Sequence, residues 1–135
     1  MLEVIIVDDD QIVLFIQKKM VTNHEIASNP VSFREAAAAL DYIIEEQRKQ
    51  QKEFLILLDI NMPKMDGWDF LNCLESHEEK ANYHVIMVTS SIDSKDKKKA
   101  KKYSTVRSFI EKPISASDCE KIKEISEISH FFQRV

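Results

Sequence analysis

The chain has 135 residues, of which 44% are hydrophobic and 31% charged, a balance that suits one compact soluble domain around one core. No apolar run approaches the roughly 20 residues of a membrane span, and the opening MLEVIIVDDD carries neither a basic flank nor a small-residue cleavage site, so a cytoplasmic location is expected. A net charge of −4 argues against direct nucleic-acid binding, which needs clustered Lys and Arg, and the isolated Cys73 and Cys119 and the four unspaced histidines argue against a disulfide framework or a zinc site.

In chain order, Glu3–Val7 (EVIIV) is a β-branched run closed by three aspartates, and Ile12, Val13, Phe15, Ile16 and Met20 then recur at helical spacing. That predicts a strand followed by a helix over about residues 10–22. A weak strand is expected near Glu25–Ser32, although Asn29 and Pro30 fall inside it. A helix over Phe33–Arg48 follows from four alanines combined with Leu40, Ile43 and Ile44. Phe54–Leu58 (FLILL) is apolar at every position, as expected of a strand covered on both faces.

The second half repeats the alternation. Helix is predicted at Trp68–His77 and Asp93–Tyr103, and strand at His84–Val88 and Val106–Ile110. A last helix is expected over Ser117–Phe131, capped by Ser115 or Ser117, with Cys119, Ile122, Ile125, Ile128 and Phe132 as its apolar stripe. Five β-α units predict a parallel sheet with helices on both faces and right-handed crossovers. The basic run Lys95–Lys102 (KDKKKAKK) reads first as a solvated helix face and second as a protein-docking surface.

The polar residues that end the apolar runs carry the functional information. Asp8 and Asp9 follow the first strand, Asp59 the third, Thr89 the fourth and Lys112 the fifth. Ligands of open α/β sheets bind at that edge. Crowded carboxylates repel unless a cation neutralises them, and oxygen-only donors suit a hard ion such as Mg²⁺. Asp10 is assigned to the helix cap instead. Gly67 is the sole glycine, so it is expected where φ must be positive or where no side chain fits. The Lys112–Pro113 bond is a candidate for the cis form, and proline there holds the backbone that aims the lysine.

The stretches IIVDDD, LLDINMPKMDG, VIMVTSS and FIEKPIS, in that order, resemble the receiver domain of two-component response regulators across essentially the whole chain. The resemblance implies a flavodoxin-like sheet in order 2-1-3-4-5, with residues 1–135 forming one receiver domain without an output domain. It implies that Asp59 is the phosphoacceptor and that Mg²⁺ (or Mn²⁺) is held by Asp9 directly, by Asp8 as its partner, by Asp59 and by the backbone carbonyl of Asn61. Thr89 corresponds to the hydroxyl that bonds the phosphoryl group, Lys112 to its cationic partner, and Thr89 with Phe109 to the switch pair. Asn61 and Ser91 occupy positions that tune phosphoryl lifetime. The implied partners are a histidine kinase or histidine phosphotransfer protein and a downstream protein target, with no membrane involvement.

The sequence departs from the family in two places. KKYSTVRS replaces the glycine-containing turn common before the fifth strand, which implies a different shape for the fourth helix and its loop. Phe109 lacks the hydroxyl of the tyrosine often found there. Two other readings compete: a receiver fold used for phosphorylation-independent docking, and an aspartate-nucleophile phosphatase, against which Asn61 stands where those enzymes carry a second acid.

Overall fold

The structure is a computed structural model that describes residues 1–133. Its strands are β1 (Leu2–Val7), β2 (Val31–Phe33), β3 (Glu53–Asp59), β4 (Tyr83–Thr89) and β5 (Val106–Glu111). The helices are α1 (Gln11–Asn23), α2 (Ala36–Lys49), α3 (Gly67–Glu75), α4 (Ser94–Ala100) and α5 (Ala116–Lys123). The strands form one parallel sheet in the order β2-β1-β3-β4-β5. One apolar cluster fills the side covered by α2, α3 and α4, and a second fills the side covered by α1 and α5. The central strand β3 feeds both: Phe54, Ile56 and Leu58 face one cluster, Leu55 and Leu57 the other.

The second strand differs from the expected Glu25–Ser32 because Pro30 cannot donate to a ladder. Pairing begins only after it, with Val31 opposite Ile5 and Phe33 opposite Val7. Phe33 therefore belongs to β2, and α2 starts three residues later than expected. Asp10 caps α1, its side chain accepting from the Ile12 N–H at 2.9 Å and the Val13 N–H at 3.4 Å, a cap that typically contributes about 1 kcal/mol.

The apolar spacing in α1 identified a helix without identifying its buried face. Leu14, Gln17 and Val21 are the buried positions, while Ile12, Phe15 and Ile16 are exposed. Helix α5 is shorter than Ser117–Phe131, ending at Lys123 and giving way to turns and a 3-10 turn at Ser129–Phe131. The segment Glu124–Ser129 repeats Glu-Ile-Ser, and its Ile and Ser are residues of middling helix propensity. Its apolar stripe still packs, with Ile128 fully buried and Ile125 and Phe132 half-buried in the α1–α5 cluster. Ser115 is the cap, exchanging bonds with Asp118 in a capping box.

The KKYSTVRS segment is anchored without glycine. The Glu75 carboxylate at the end of α3 accepts from the Ser104 and Thr105 N–H groups at 3.1 and 2.9 Å and from the Ser104 hydroxyl. Tyr103 donates its hydroxyl to Asn72 at 2.8 Å. These bonds tie the loop after α4 to the end of α3.

Candidate functional site

Parallel pairing in register carries Asp8, Asp59, Thr89 and Lys112 to one edge of the sheet. Val7 pairs with Leu58, so Asp8 and Asp59 emerge side by side. Asp59 pairs with Val88, which puts Thr89 one step beyond it on the next strand. Lys112 lies just past β5, its N–H donating to the Thr89 carbonyl at 2.8 Å. The bond to Pro113 is cis.

Burial sets the electrostatics of this edge. Asp8, Asp59 and Thr89 are buried, at 1%, 5% and 2% exposure. Lys112 Nζ lies 2.6 Å from Asp8 Oδ2 and 3.2 Å from Asp59 Oδ1, bridging two buried carboxylates. Burial works against the lysine charge, yet Asp8 and Asp59 more than offset it and raise its pKa. Burial, then the charge of Asp8, pushes the Asp59 carboxyl up to about 6, against the opposing pull of Lys112.

One carboxylate oxygen from each of Asp8, Asp9 and Asp59 can be drawn with all three inside 4.8 Å of one another. Asp8 Oδ1 accepts from the Asp10 N–H at 2.9 Å. Its Oδ2 is buried and meets the Lys112 ammonium at 2.6 Å. A single lysine leaves this triad net negative. An oxygen-only donor set that stays net negative beside one lysine fits a hard divalent cation. Asn61 follows Asp59 by two residues on the exposed part of the loop.

The remaining expected residues occupy the rim. The Thr89 hydroxyl donates to the Ser91 carbonyl at 3.3 Å, within its own loop. Ser91 is exposed. Phe109 is half-buried against the α2–α4 cluster. Gly67 was expected at a positive φ or in a tight space, and the second reason holds. Its φ is not positive, whereas Lys64 in the same loop has φ 67°. A Cβ on Gly67 would lie 2.8 Å from the Asp59 carbonyl oxygen and 2.9 Å from Ile60 Cα. The Gly67 N–H donates to the Ile60 carbonyl at 2.8 Å, closing the loop that follows Asp59.

Arg34 was not singled out by the sequence. Its guanidinium reaches the Asp9 carbonyl with Nε and Nη2, each at 3.3 Å, and so ties the loop after β1 to the end of β2. The strand-end rule would have found it had β2 been placed at Val31–Phe33. Inside the expected helix Phe33–Arg48 it carried no signal.

The order of the sheet and the carboxylate-lysine edge define a receiver. The chain belongs to the response regulator receiver domain family, whose model matches residues 4–124. It is 33% identical over 97 residues to the probable methanogenesis regulatory protein FilR2 of Methanothrix harundinacea, a match that covers 70% of this chain and 61% of that relative. Among solved structures it resembles a two-component response regulator from Cytophaga hutchinsonii, with 25% identity and a TM-score of 0.81 over 91% of this chain and 94% of the other. It also resembles a response regulator receiver protein from Dyadobacter fermentans, with 26% identity and a TM-score of 0.75 over 92% and 97%. Among the described residues no helix is long and apolar enough to cross a membrane.

Proposed function

We propose that the chain is a phosphoacceptor receiver that takes a phosphoryl group onto Asp59 from a histidine kinase or a histidine phosphotransfer protein and signals by a change of surface. The observation that carries this reading is the buried Asp59 carboxylate, 3.2 Å from Lys112 Nζ and clustered with Asp8 and Asp9. A carboxylate in this setting serves as a nucleophile. An Asp59 oxygen attacks the donor's phosphorus, the P–N bond to the donor imidazole breaks, and its electron pair stays on the imidazole nitrogen.

Asp8, Asp9, Asp59 and the Asn61 carbonyl are the residues that would hold Mg²⁺ or Mn²⁺. The ion supplies neutralisation of the phosphoryl oxygens as charge shifts. Lys112 is already poised between Asp8 and Asp59 and pairs with the new phosphoryl group once Asp59 is phosphorylated. Thr89 exchanges its bond to the Ser91 carbonyl for one to a phosphoryl oxygen. That draws its loop inward and leaves space for the half-buried Phe109 ring. Such a local charge event biases a two-state element. With no hydroxyl, Phe109 is held in either state by packing. Asn61 and Ser91, both at the rim, tune the lifetime of the acyl phosphate by controlling access of water. The output face then comprises α4, β5 and α5.

The test is incubation with Mg²⁺ and acetyl phosphate, read by intact mass. One phosphoryl adduct is expected on the wild-type protein and none on Asp59→Asn. Rapid turnover of phosphomonoesters would point to a phosphatase, and absence of any adduct with small-molecule and protein donors alike would leave a docking module.

A further inference from the structure

Asp9 is held through its main chain. The residues on either side of it are fixed by the fold: the Asp8 N–H donates to the Phe33 carbonyl at 3.1 Å, and Asp8 Oδ1 accepts from the Asp10 N–H. Asp10 caps α1, and its carbonyl accepts from the Leu14 N–H at 3.0 Å. Between them, the Asp9 carboxylate has no hydrogen bond or ion pair among the described residues. The hydrogen bonds that Asp9 does make end on its carbonyl oxygen, and both come from Arg34, one from Nε and one from Nη2.

Arg34 stands on a short, fixed piece of chain. Phe33 before it pairs with Val7, and α2 begins just after it at Ala36. Its side chain is exposed, on the rim of a groove of about 520 Å³ that Asp9, Glu35, Ala38 and Pro63 also line. Among the described residues no ion pair neutralises it; the adjacent Glu35 faces Lys64 at 3.6 Å instead. By charge alone, a cation here repels a metal ion at the triad. Its geometry works the other way. The planar fork puts two N–H groups on one acceptor, which the point charge of a lysine does not reproduce. That fixes the plane of the peptide after Asp9, and so the backbone from which the Asp9 carboxylate projects.

We infer that Arg34 is a positioning residue for the divalent cation: by clamping the Asp9 carbonyl it holds the Asp9 carboxylate ready beside Asp8 and Asp59. The inference rests on the proposed cation site at that triad. Arg34 is not itself a ligand, and it acts through Asp9. Outer partners of this kind set the affinity of the ligands they orient. Of the three acids, Asp9 has the most need of one, since Asp8 and Asp59 are buried and bridged by Lys112 while Asp9 has no partner at its carboxylate. Because the clamp and the charge of Arg34 act in opposite directions on cation binding, the sign of a substitution's effect tells which of them governs.

The test is calorimetric titration of the full chain with Mg²⁺ and with Mn²⁺, at low and at high salt. Arg34→Met removes charge and donors together, whereas Arg34→Lys keeps the charge and loses the fork. Both are expected to weaken cation binding, Arg34→Met by about threefold to tenfold, the worth of one hydrogen-bonded anchor, with the loss retained at high salt. Tighter binding by Arg34→Met that fades at high salt would make Arg34 a screened surface charge and overturn the inference, as would full affinity in Arg34→Lys. Urea unfolding in EDTA is expected to give Arg34→Met the wild-type midpoint; a midpoint lowered without metal would make Arg34 a structural brace instead. Adduct formation from acetyl phosphate, read by intact mass, should need more Mg²⁺ in Arg34→Met but reach the wild-type rate at saturation. A lowered plateau with unchanged cation affinity would place Arg34 on the phosphoryl transfer itself and overturn its positioning role. A wild-type protein that binds neither ion would remove the cation site and the inference with it, whereas wild-type binding that Arg34→Met leaves unaltered would remove the inference alone.

Discussion

Burying the Asp59 carboxyl carries a cost in stability. Its carboxyl is raised to about 6, so between its ordinary value near 4 and 6 the folded chain binds a proton that the unfolded chain has released. Folding stability contributed by this group is therefore present at low pH and lost as the pH rises through 6. Asp59→Asn removes the buried charge and is expected to stabilise the metal-free protein by roughly 1–3 kcal/mol at pH 7.5. The gain should disappear near pH 4 in urea unfolding, and an equal gain at both pH values would count against the charge as its cause. Gly67 is constrained by space. Gly67→Ala pushes a methyl group to within 3 Å of the Asp59 carbonyl oxygen and Ile60 Cα, and is expected to cost about 1–3 kcal/mol and to slow adduct formation on Asp59.

At the far end of the sheet, strands β3, β4 and β5 are joined by a polar chain in which His84 is buried and Glu53 and Arg107 are half-buried. His84 faces Glu53 through Nε2 at 2.7 Å and accepts at Nδ1 from Arg107 at 3.1 Å. Burial, helped by Arg107 and opposed by Glu53, lowers the His84 pKa. A lowered folded value means that stability is complete above the ordinary value of about 6.5 and falls as the pH drops below it. His84→Gln keeps a donor and an acceptor but cannot titrate. It should flatten the loss of stability between pH 7 and 5, by at most about 1.4 kcal/mol per pH unit. Identical slopes in the two proteins would show that the imidazole does not titrate on unfolding. The exchange of partners around Arg107 also explains why β5 tolerates a bulge: the extra residue finds hydrogen bonds at Ser104 and His84.

For the molecule as a whole, the proposed cation site at Asp8, Asp9 and Asp59 would couple cation binding to folding. A free Mg²⁺ concentration a hundred times its Kd should stabilise the protein by about 2.7 kcal/mol. Thermal unfolding with and without Mg²⁺ reads this directly, and Asp9→Asn should shrink the shift. Mg²⁺ without effect on the wild-type midpoint would exclude a site at the triad. The sequence by itself determined the alternation of strands and helices, the sheet's burial on both faces at Phe54–Leu58, the cap at Asp10 and the acids and lysine that end the strands. These are local or periodic features, written in consecutive side chains. Tertiary structure alone decided which face of α1 is buried, since Ile12, Phe15 and Ile16 share the helical spacing of core residues and yet find no sheet beneath them. It also decided that Arg34 meets Asp9, that Gly67 is needed for clearance and not for its φ, and that a bulge at Arg107 sets Val106 beside Phe109. Each of these depends on what a distant strand places opposite the residue, and no window of neighbouring sequence contains that contact.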